Sequence, residues 1–226
     1  MRRTKNGILI PDVPIMGAGK LPNAVKGASV GGENWNKMGG YLESTSRLQQ
    51  IDLLLPITEY IAEIKCSMIS SITNASFFGC LKNSERSFLR QSPDSATILQ
   101  AVETQSQQTV AQTSIALNQV YDITYECISG NCRLLLDGNL VGSNALNVDS
   151  KNTLYIFNAW YWGDQNHALG GMIRLYSLVI KSANGDVLRD MWPAYTSEST
   201  PALYDYISNL FYVNTGEGEL ICSYLL

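Results

Sequence analysis

Residues 59–68 read EYIAEIKCSM, and their side chains alternate between apolar and polar character. The even-numbered positions from Tyr60 to Met68 are all apolar, whereas most odd-numbered positions are charged or polar. A period of two is that of a β-strand with one buried face. Val120 to Cys127 repeats the pattern, with acidic residues and a threonine on the polar side. The two stretches therefore predict half-buried β-strands.

Further strand signals lie on both sides of these two stretches. Asp137-Gly138, between two short apolar runs, is typical of a type I′ hairpin turn. No segment shows a persuasive helical stripe between caps. Many short strands, with turns about every ten residues, predict an all-β sandwich or barrel. The other strand candidates are 75–81, 87–91, 97–102, 109–117, 153–158, 172–181, 187–192 and 210–214.

The composition fits one large β domain. The chain has 226 residues, of which 45% are hydrophobic and 16% charged, so it can bury a full core. It has no run of about 18 apolar residues, and we expect no membrane insertion. The apolar piece near the N-terminus is too short for a signal peptide, so we expect folding in a cytoplasm.

The five cysteines are expected to be reduced thiols. Their number is odd, and Cys66, Cys80 and Cys222 each stand alone in an apolar run. Cys127 and Cys132 are the one suggestive pair, because they flank the turn Ser129-Gly130-Asn131. They face each other if Ser129-Gly130 is the two-residue turn, and are diagonal neighbours if Gly130-Asn131 is the turn.

Residues 1–39 differ from the rest and predict an extended N-terminal arm. They carry six Lys/Arg against two acidic residues, a net of +4, whereas residues 40–226 carry ten against eighteen, a net of −8. We expect the arm to dock on an acidic neighbouring subunit or another protein, not on its own domain. Nucleic-acid binding is not favoured, because the basic residues are scattered. The arm residues expected to make these contacts are Arg2, Arg3, Lys5, Ile8 and Ile10.

Several motifs over residues 41–218 resemble a known family. The C-terminal ones are the most specific: Leu188-Arg189-Asp190-Met191-Trp192-Pro193-Ala194, and Pro201-Ala202-Leu203-Tyr204-Asp205 with its continuation to Gly218. Weaker likenesses occur at 41–52, 77–81, 132–141 and 173–180. Together they resemble the concanavalin/laminin-G-like jelly rolls found in tail, fibre and other virion proteins of gut bacteriophages and prophages.

This resemblance implies an all-β fold, a two-sheet antiparallel jelly-roll sandwich over residues 40–226, preceded by the arm of residues 1–39. It implies a virion structural protein on a capsid or tail, folded in the bacterial host cytoplasm and anchored by its arm. Its partners would be other virion proteins, copies of itself and host surface glycans. The alternative is a carbohydrate-binding module of a phage adhesin or a bacterial surface protein.

The sequence offers no catalytic constellation, so no enzyme, cofactor or metal is expected. The single histidine, His167, has no nucleophile placed beside it. The segment around it is instead a candidate glycan contact, because aromatic rings there stand beside hydrogen-bonding side chains. The alternative is that the tryptophans fill core or a subunit interface. The candidate residues are Trp160, Trp162, Asp164, Asn166 and His167.

Overall fold

The computed structural model describes residues 2–3, 9–10, 24–26, 40–57, 59–82, 85–103, 108–145, 153–158, 170–196 and 198–223. These residues form nineteen β-strands, and none of them is helical. In this part of the chain no helix is long and apolar enough to cross a membrane. The all-β prediction is confirmed.

The strands follow one another at short intervals, as the alternation predicts. In chain order they are β1 Arg2–Arg3, β2 Leu9–Ile10, β3 Ala24–Lys26, β4 Tyr41–Glu43, β5 Ile51–Pro56, β6 Tyr60–Met68, β7 Ala75–Lys82, β8 Glu85–Gln91, β9 Ile98–Glu103, β10 Gln108–Ser114, β11 Tyr121–Ile128, β12 Asn131–Leu136, β13 Asn139–Ala145, β14 Thr153–Ile156, β15 Ile173–Ser182, β16 Val187–Tyr195, β17 Pro201–Asp205, β18 Leu210–Val213 and β19 Ile221–Ser223.

Two antiparallel sheets make the sandwich. The larger sheet runs in the order β13-β12-β11-β6-β15-β16-β17-β18-β3, with β4 also paired to β15 and β19 paired to β4. The smaller sheet runs β10-β9-β8-β7-β14-β5. β1 and β2 form a separate two-stranded sheet. This is the predicted two-sheet architecture, and strands far apart in sequence lie side by side in it.

The core lies between the two sheets, and β6 shows why. The even-numbered residues of β6 are at most 2% exposed, and they face the smaller sheet. The Tyr60 hydroxyl lies 2.6 Å from the Ser87 hydroxyl of β8, a hydrogen bond that bridges the sheets. The Tyr60 ring also packs edge-on against Phe78 and Tyr125. The buried phenol is therefore satisfied inside an otherwise apolar core.

Two tight turns fix the register of β11, β12 and β13. Asp137 and Gly138 have φ values of 50° and 76°, which confirms the predicted type I′ turn. Ser129 and Gly130 also have positive φ, and the ladder places Cys127 directly opposite Cys132. Of the two arrangements open from the sequence, the one with Ser129-Gly130 as the turn is correct.

Part of the arm prediction is wrong. The backbone of Ala24–Lys26 pairs with residues 210–212 of the same chain, so this segment adds to its own sandwich and not to a neighbour. The reason is that β18 would otherwise leave a row of unpaired backbone groups at the edge of the larger sheet. Arg2–Arg3 pair with Leu9–Ile10, whereas Lys5 and Ile8 lie outside the described residues.

Candidate functional site

The candidate glycan residues Trp160, Trp162, Asp164, Asn166 and His167 all lie outside the described residues. Strand β14 ends at Ile156, and after Asn158 the described chain resumes at Gly170. Their role stays a prediction. The described residues place a second aromatic group elsewhere, on the outer face of the larger sheet.

That outer face is divided into two halves, and the first is charged. On β12, β11, β6 and β15 the outward positions carry ion pairs whose members are all at least partly exposed. Exposed pairs of this kind contribute about 0–1 kcal/mol each, so they keep this half solvated rather than hold the fold together. The pairs are Lys65–Asp122 at 3.8 Å, Lys181–Glu63 at 2.5 Å, and Arg133–Glu126.

The second half is aromatic. Trp192 of β16 is directly opposite Tyr204 of β17, and Tyr204 is directly opposite Phe211 of β18. Residues paired across antiparallel strands share one face of the sheet, so the three rings form a row across three strands. The neighbouring positions Met191 and Tyr212 point the other way and are at most 1% exposed.

Tyr206 completes this group, and the four residues Trp192, Tyr204, Tyr206 and Phe211 are called the aromatic face below. The Tyr204 ring centroid lies 4.9 Å from that of Tyr206, at 87°, and 5.0 Å from that of Phe211, at 54°. Tyr204 is 7% exposed, whereas the other three are partly exposed. Burial, followed by Tyr206 and Asp205, raises the pKa of Tyr204 above its ordinary value, so its phenol stays neutral at physiological pH.

Two hydrogen bonds orient two of the four rings of the aromatic face, those of Trp192 and Tyr204. The indole Nε1–H of Trp192 donates to Oδ1 of Asp190 at 2.7 Å. The hydroxyl of Tyr204 donates to Oδ1 of Asn209 at 3.0 Å. Asp190 is partly exposed and Asn209 is exposed, so each places a polar group at the border of the rings. The result is an apolar surface with hydrogen-bonding groups at its edge.

Asp205 holds the turn beneath the aromatic face. Its fully buried carboxylate accepts from the backbone N–H groups of Asp190 at 2.9 Å, Ile207 at 3.1 Å and Ser208 at 3.3 Å. The Ser208 hydroxyl also donates to it at 2.6 Å. These bonds fix β16 to the β17–β18 turn, which carries Tyr206. Asp205 of the Tyr204-Asp205 motif therefore stabilises the fold.

Arg189 supplies the charge that balances Asp205. Its Nε lies 3.7 Å from Oδ2 of Asp205, and its guanidinium donates to the backbone oxygens of Leu53 and Leu54 at 3.4 Å. The guanidinium also lies over the Tyr212 ring, 5.7 Å from the centroid. Arg189 is opposite the core residue Ile180, so this pair is on the inner side of the sheet and does not contact a ligand on the aromatic face.

A smaller aromatic pair lies on the same outer face at β4 and β15. The rings of Tyr41 and Tyr176 meet edge-on, with centroids 5.8 Å apart. The Arg174 guanidinium lies over the Tyr41 ring at 4.9 Å and donates to Glu43 at 2.6 Å. The hydrogen bond to Glu43 raises the pKa of Arg174. The two charged groups beside these rings, Arg174 and Glu43, thus bind each other.

The described part of the chain has no group of three or more His, Cys, Asp or Glu side chains that could hold a metal ion. The sequence reasoning missed the aromatic face, because its four residues come from three strands and a turn. The sequence did contain one indication. Trp192, Tyr204 and Phe211 each stand next to a core residue in a strand, and successive residues of a strand point to opposite faces of the sheet. The three rings are therefore on the face opposite to the core.

Comparisons with known proteins identify the fold. No protein-family model matches the chain, and no curated protein sequence does. Among solved structures, a protein from Bacteroides ovatus described as a "putative carbohydrate binding protein" is 9% identical with a TM-score of 0.62, over 83% of this chain and 60% of that one. A heptameric SAP-like pentraxin from Limulus polyphemus is 12% identical with a TM-score of 0.50, over 67% of this chain and 78% of that one.

At such low identity these likenesses show the fold alone, a jelly-roll sandwich, and this confirms the predicted fold class. The chain spans 60% of the length of the Bacteroides protein. The name of neither protein refers to a bacteriophage, so the virion part of the sequence prediction stays a prediction.

Proposed function

We propose that this chain is a carbohydrate-binding jelly-roll domain whose ligand stacks on the aromatic face. The observation that carries the proposal is the row Trp192, Tyr204 and Phe211 on the outer face of the larger sheet, in which the partly exposed Trp192 and Phe211 stand on either side of the buried Tyr204. One face of a pyranose ring presents C–H groups that pack on aromatic rings, while its hydroxyls need donors and acceptors. Asp190 and Asn209 place such groups at the border.

The alternative use of an aromatic surface is a protein interface, where Trp and Tyr are also enriched. Two features favour the carbohydrate. The Trp192 and Tyr204 rings are held by hydrogen bonds to Asp190 and Asn209, which lowers the entropy cost of binding a small polar ligand. The name of the structurally similar Bacteroides protein refers to carbohydrate binding, which supports the same proposal.

A glycan-array screen with purified wild type and Trp192→Ala tests this function. We expect wild type to bind at least one glycan, and Trp192→Ala to bind it roughly 30-fold more weakly, since a central aromatic anchor contributes about 2 kcal/mol or more. The matched control is Val187→Ala. Val187 is 42% exposed on the same strand, five residues or about 17 Å from Trp192.

We expect Val187→Ala to bind as wild type does, and both variants to keep the wild-type circular-dichroism spectrum. Absence of any glycan bound by folded wild type would contradict the proposal. So would equal binding by Trp192→Ala. Loss of binding in Val187→Ala as well would show that the effect is not specific to the aromatic face.

A second function, that of a virion structural component, is favoured by the arm. Arg2–Arg3 and Leu9–Ile10 form a two-stranded sheet separate from the sandwich. Such a hairpin is marginal in isolation, and a neighbour's sheet edge can extend it. The net +4 of residues 1–39 suits the acidic surface of other copies or of other virion proteins. In this proposal the domain is displayed on the particle, and its role is assembly together with adhesion to host glycans.

Deleting residues 2–23 tests the arm as a tether and retains β3. We expect an unfolding temperature close to that of the full chain, because the sandwich strands keep all their partners. We also expect self-association of the full chain at low salt, measured by analytical ultracentrifugation, and its loss in the truncated chain. Equal association of the two chains would overturn the tether. A large fall in unfolding temperature would show that residues 2–23 complete their own domain.

A further inference from the structure

The β11–β12 hairpin brings two cysteines together. Its two-residue turn, Ser129-Gly130, makes Ile128 and Asn131 the flanking pair, and Cys127 and Cys132 the next pair. In such a hairpin the flanking pair exchanges backbone hydrogen bonds, so the next pair is not hydrogen-bonded, and its Cα atoms lie about 4.5 Å apart. This separation is within the range of about 4.4–6.8 Å that a disulfide spans.

The side chains of Cys127 and Cys132 are also close together. Both cysteines face the core, with Cys127 1% and Cys132 0% exposed. The two Sγ atoms are 2.8 Å apart, and neither cysteine forms a disulfide in this structure. A disulfide has an S–S bond of about 2.05 Å, so bond formation needs a further approach of the two sulfur atoms of roughly 0.8 Å.

We propose that Cys127 and Cys132 are a redox pair that closes to a disulfide when the protein meets a disulfide oxidant, either in the native state or while it folds. The two thiols lose two protons and two electrons as the Sγ–Sγ bond forms. One molecule of oxidised glutathione accepts them and leaves as two molecules of reduced glutathione. The exchange passes through a mixed disulfide on one cysteine, which the directly opposite thiol then resolves.

The other three cysteines stay thiols. They lie on β6, β7 and β19, and the strand pairing places no cysteine directly opposite any of them: Cys66 is opposite Tyr121 and Leu175, Cys80 is opposite Ser87, and Cys222 is opposite Leu42. Burial raises the pKa of the Cys66 thiol well above its ordinary value, with a smaller contribution from Asp122, so its reactive thiolate is suppressed. The bond therefore forms at one place, across a hairpin of the charged half, and leaves the aromatic face unchanged.

Thiol counting on the full chain tests the pair. Purified protein is incubated with oxidised glutathione, then unfolded, alkylated and digested for mass spectrometry. We expect three alkylated cysteines of the five, with one peptide pair linked through Cys127 and Cys132. The same measurement is made on protein refolded in a mixture of oxidised and reduced glutathione, so that burial in the native state cannot block the oxidant.

The single variants Cys127→Ser and Cys132→Ser are the controls. We expect neither variant to form a disulfide within the chain. We also expect a reductant to lower the unfolding temperature of wild type and to leave that of each variant unchanged. Five alkylated cysteines in wild type after both treatments would overturn the proposal. A disulfide that joins any other pair of cysteines in wild type would overturn it too.

Discussion

Replacing Gly79 by alanine is expected to lower the free energy of unfolding by about 4 kcal/mol or more, one of the largest effects of a single methyl group in this chain. Gly79 lies within β7 with φ of +124°, a conformation that L side chains rarely adopt. A Cβ there would lie 2.0 Å from the backbone oxygen of Ser87 and 2.5 Å from Cα of Phe88. These are backbone atoms of the neighbouring strand, and they move only if the ladder breaks.

Thermal unfolding followed by circular dichroism measures this effect. For a chain of this size a loss of about 4 kcal/mol corresponds to a fall of roughly 8–16 °C. The matched control is Gly138→Ala, since Gly138 also has positive φ, +76°, but nothing lies within 4 Å of its Cβ position. It isolates the backbone cost of about 1–2 kcal/mol. Equal effects of the two variants would show that close packing at Gly79 does not matter.

The second large effect is expected for Asp205→Ala, with a loss of about 3–5 kcal/mol. The substitution removes the acceptor of three backbone N–H groups and one hydroxyl, and it leaves the Arg189 guanidinium without its buried carboxylate. Unsatisfied donors and an unpaired buried charge are each costly. Urea unfolding of wild type and variant measures the difference.

Asp205→Asn is the informative control, because it keeps one oxygen acceptor and the side-chain volume but removes the charge. We expect its stability to lie between those of wild type and Asp205→Ala. Asp186→Ala, at an exposed position in the β15–β16 turn, is expected to change the free energy of unfolding by less than about 0.5 kcal/mol. Similar stabilities of Asp205→Ala and Asp186→Ala would refute the structural role of the buried carboxylate.

Much of the fold was predictable from local sequence. β6 and β11 each have one buried face, and this gives the period of two. Asp137-Gly138 has the positive φ values that such a turn demands. β17 was missed, because Ala202 to Asp205 are all buried, and a strand covered on both faces shows no alternation. On the outer face of β17, Tyr206 and Phe211 pack on Tyr204 and cover it.

The candidate site was not predictable in the same way. Trp192, Tyr204 and Phe211 become neighbours only through the register of three strands. The sequence of one segment does not determine its register with a distant segment. The arm posed the same difficulty. Short apolar segments predict strands that add to a sheet edge, but not whose edge, and Ala24–Lys26 add to that of their own chain.

The central claim, that carbohydrate binds on the aromatic face, is tested most directly by nuclear magnetic resonance of the tryptophan indole groups. The chain has four tryptophans, so four Nε1–H signals are expected, and Trp192→Phe identifies the one from Trp192. The protein is titrated with the glycan that binds most tightly in the screen. We predict that the Trp192 signal shifts in proportion to the bound fraction, because the sugar stacks beside the Nε1–H···Asp190 hydrogen bond. Saturation that shifts Trp160 or Trp162 and leaves Trp192 unchanged would contradict the account, and would place the ligand at the loop instead.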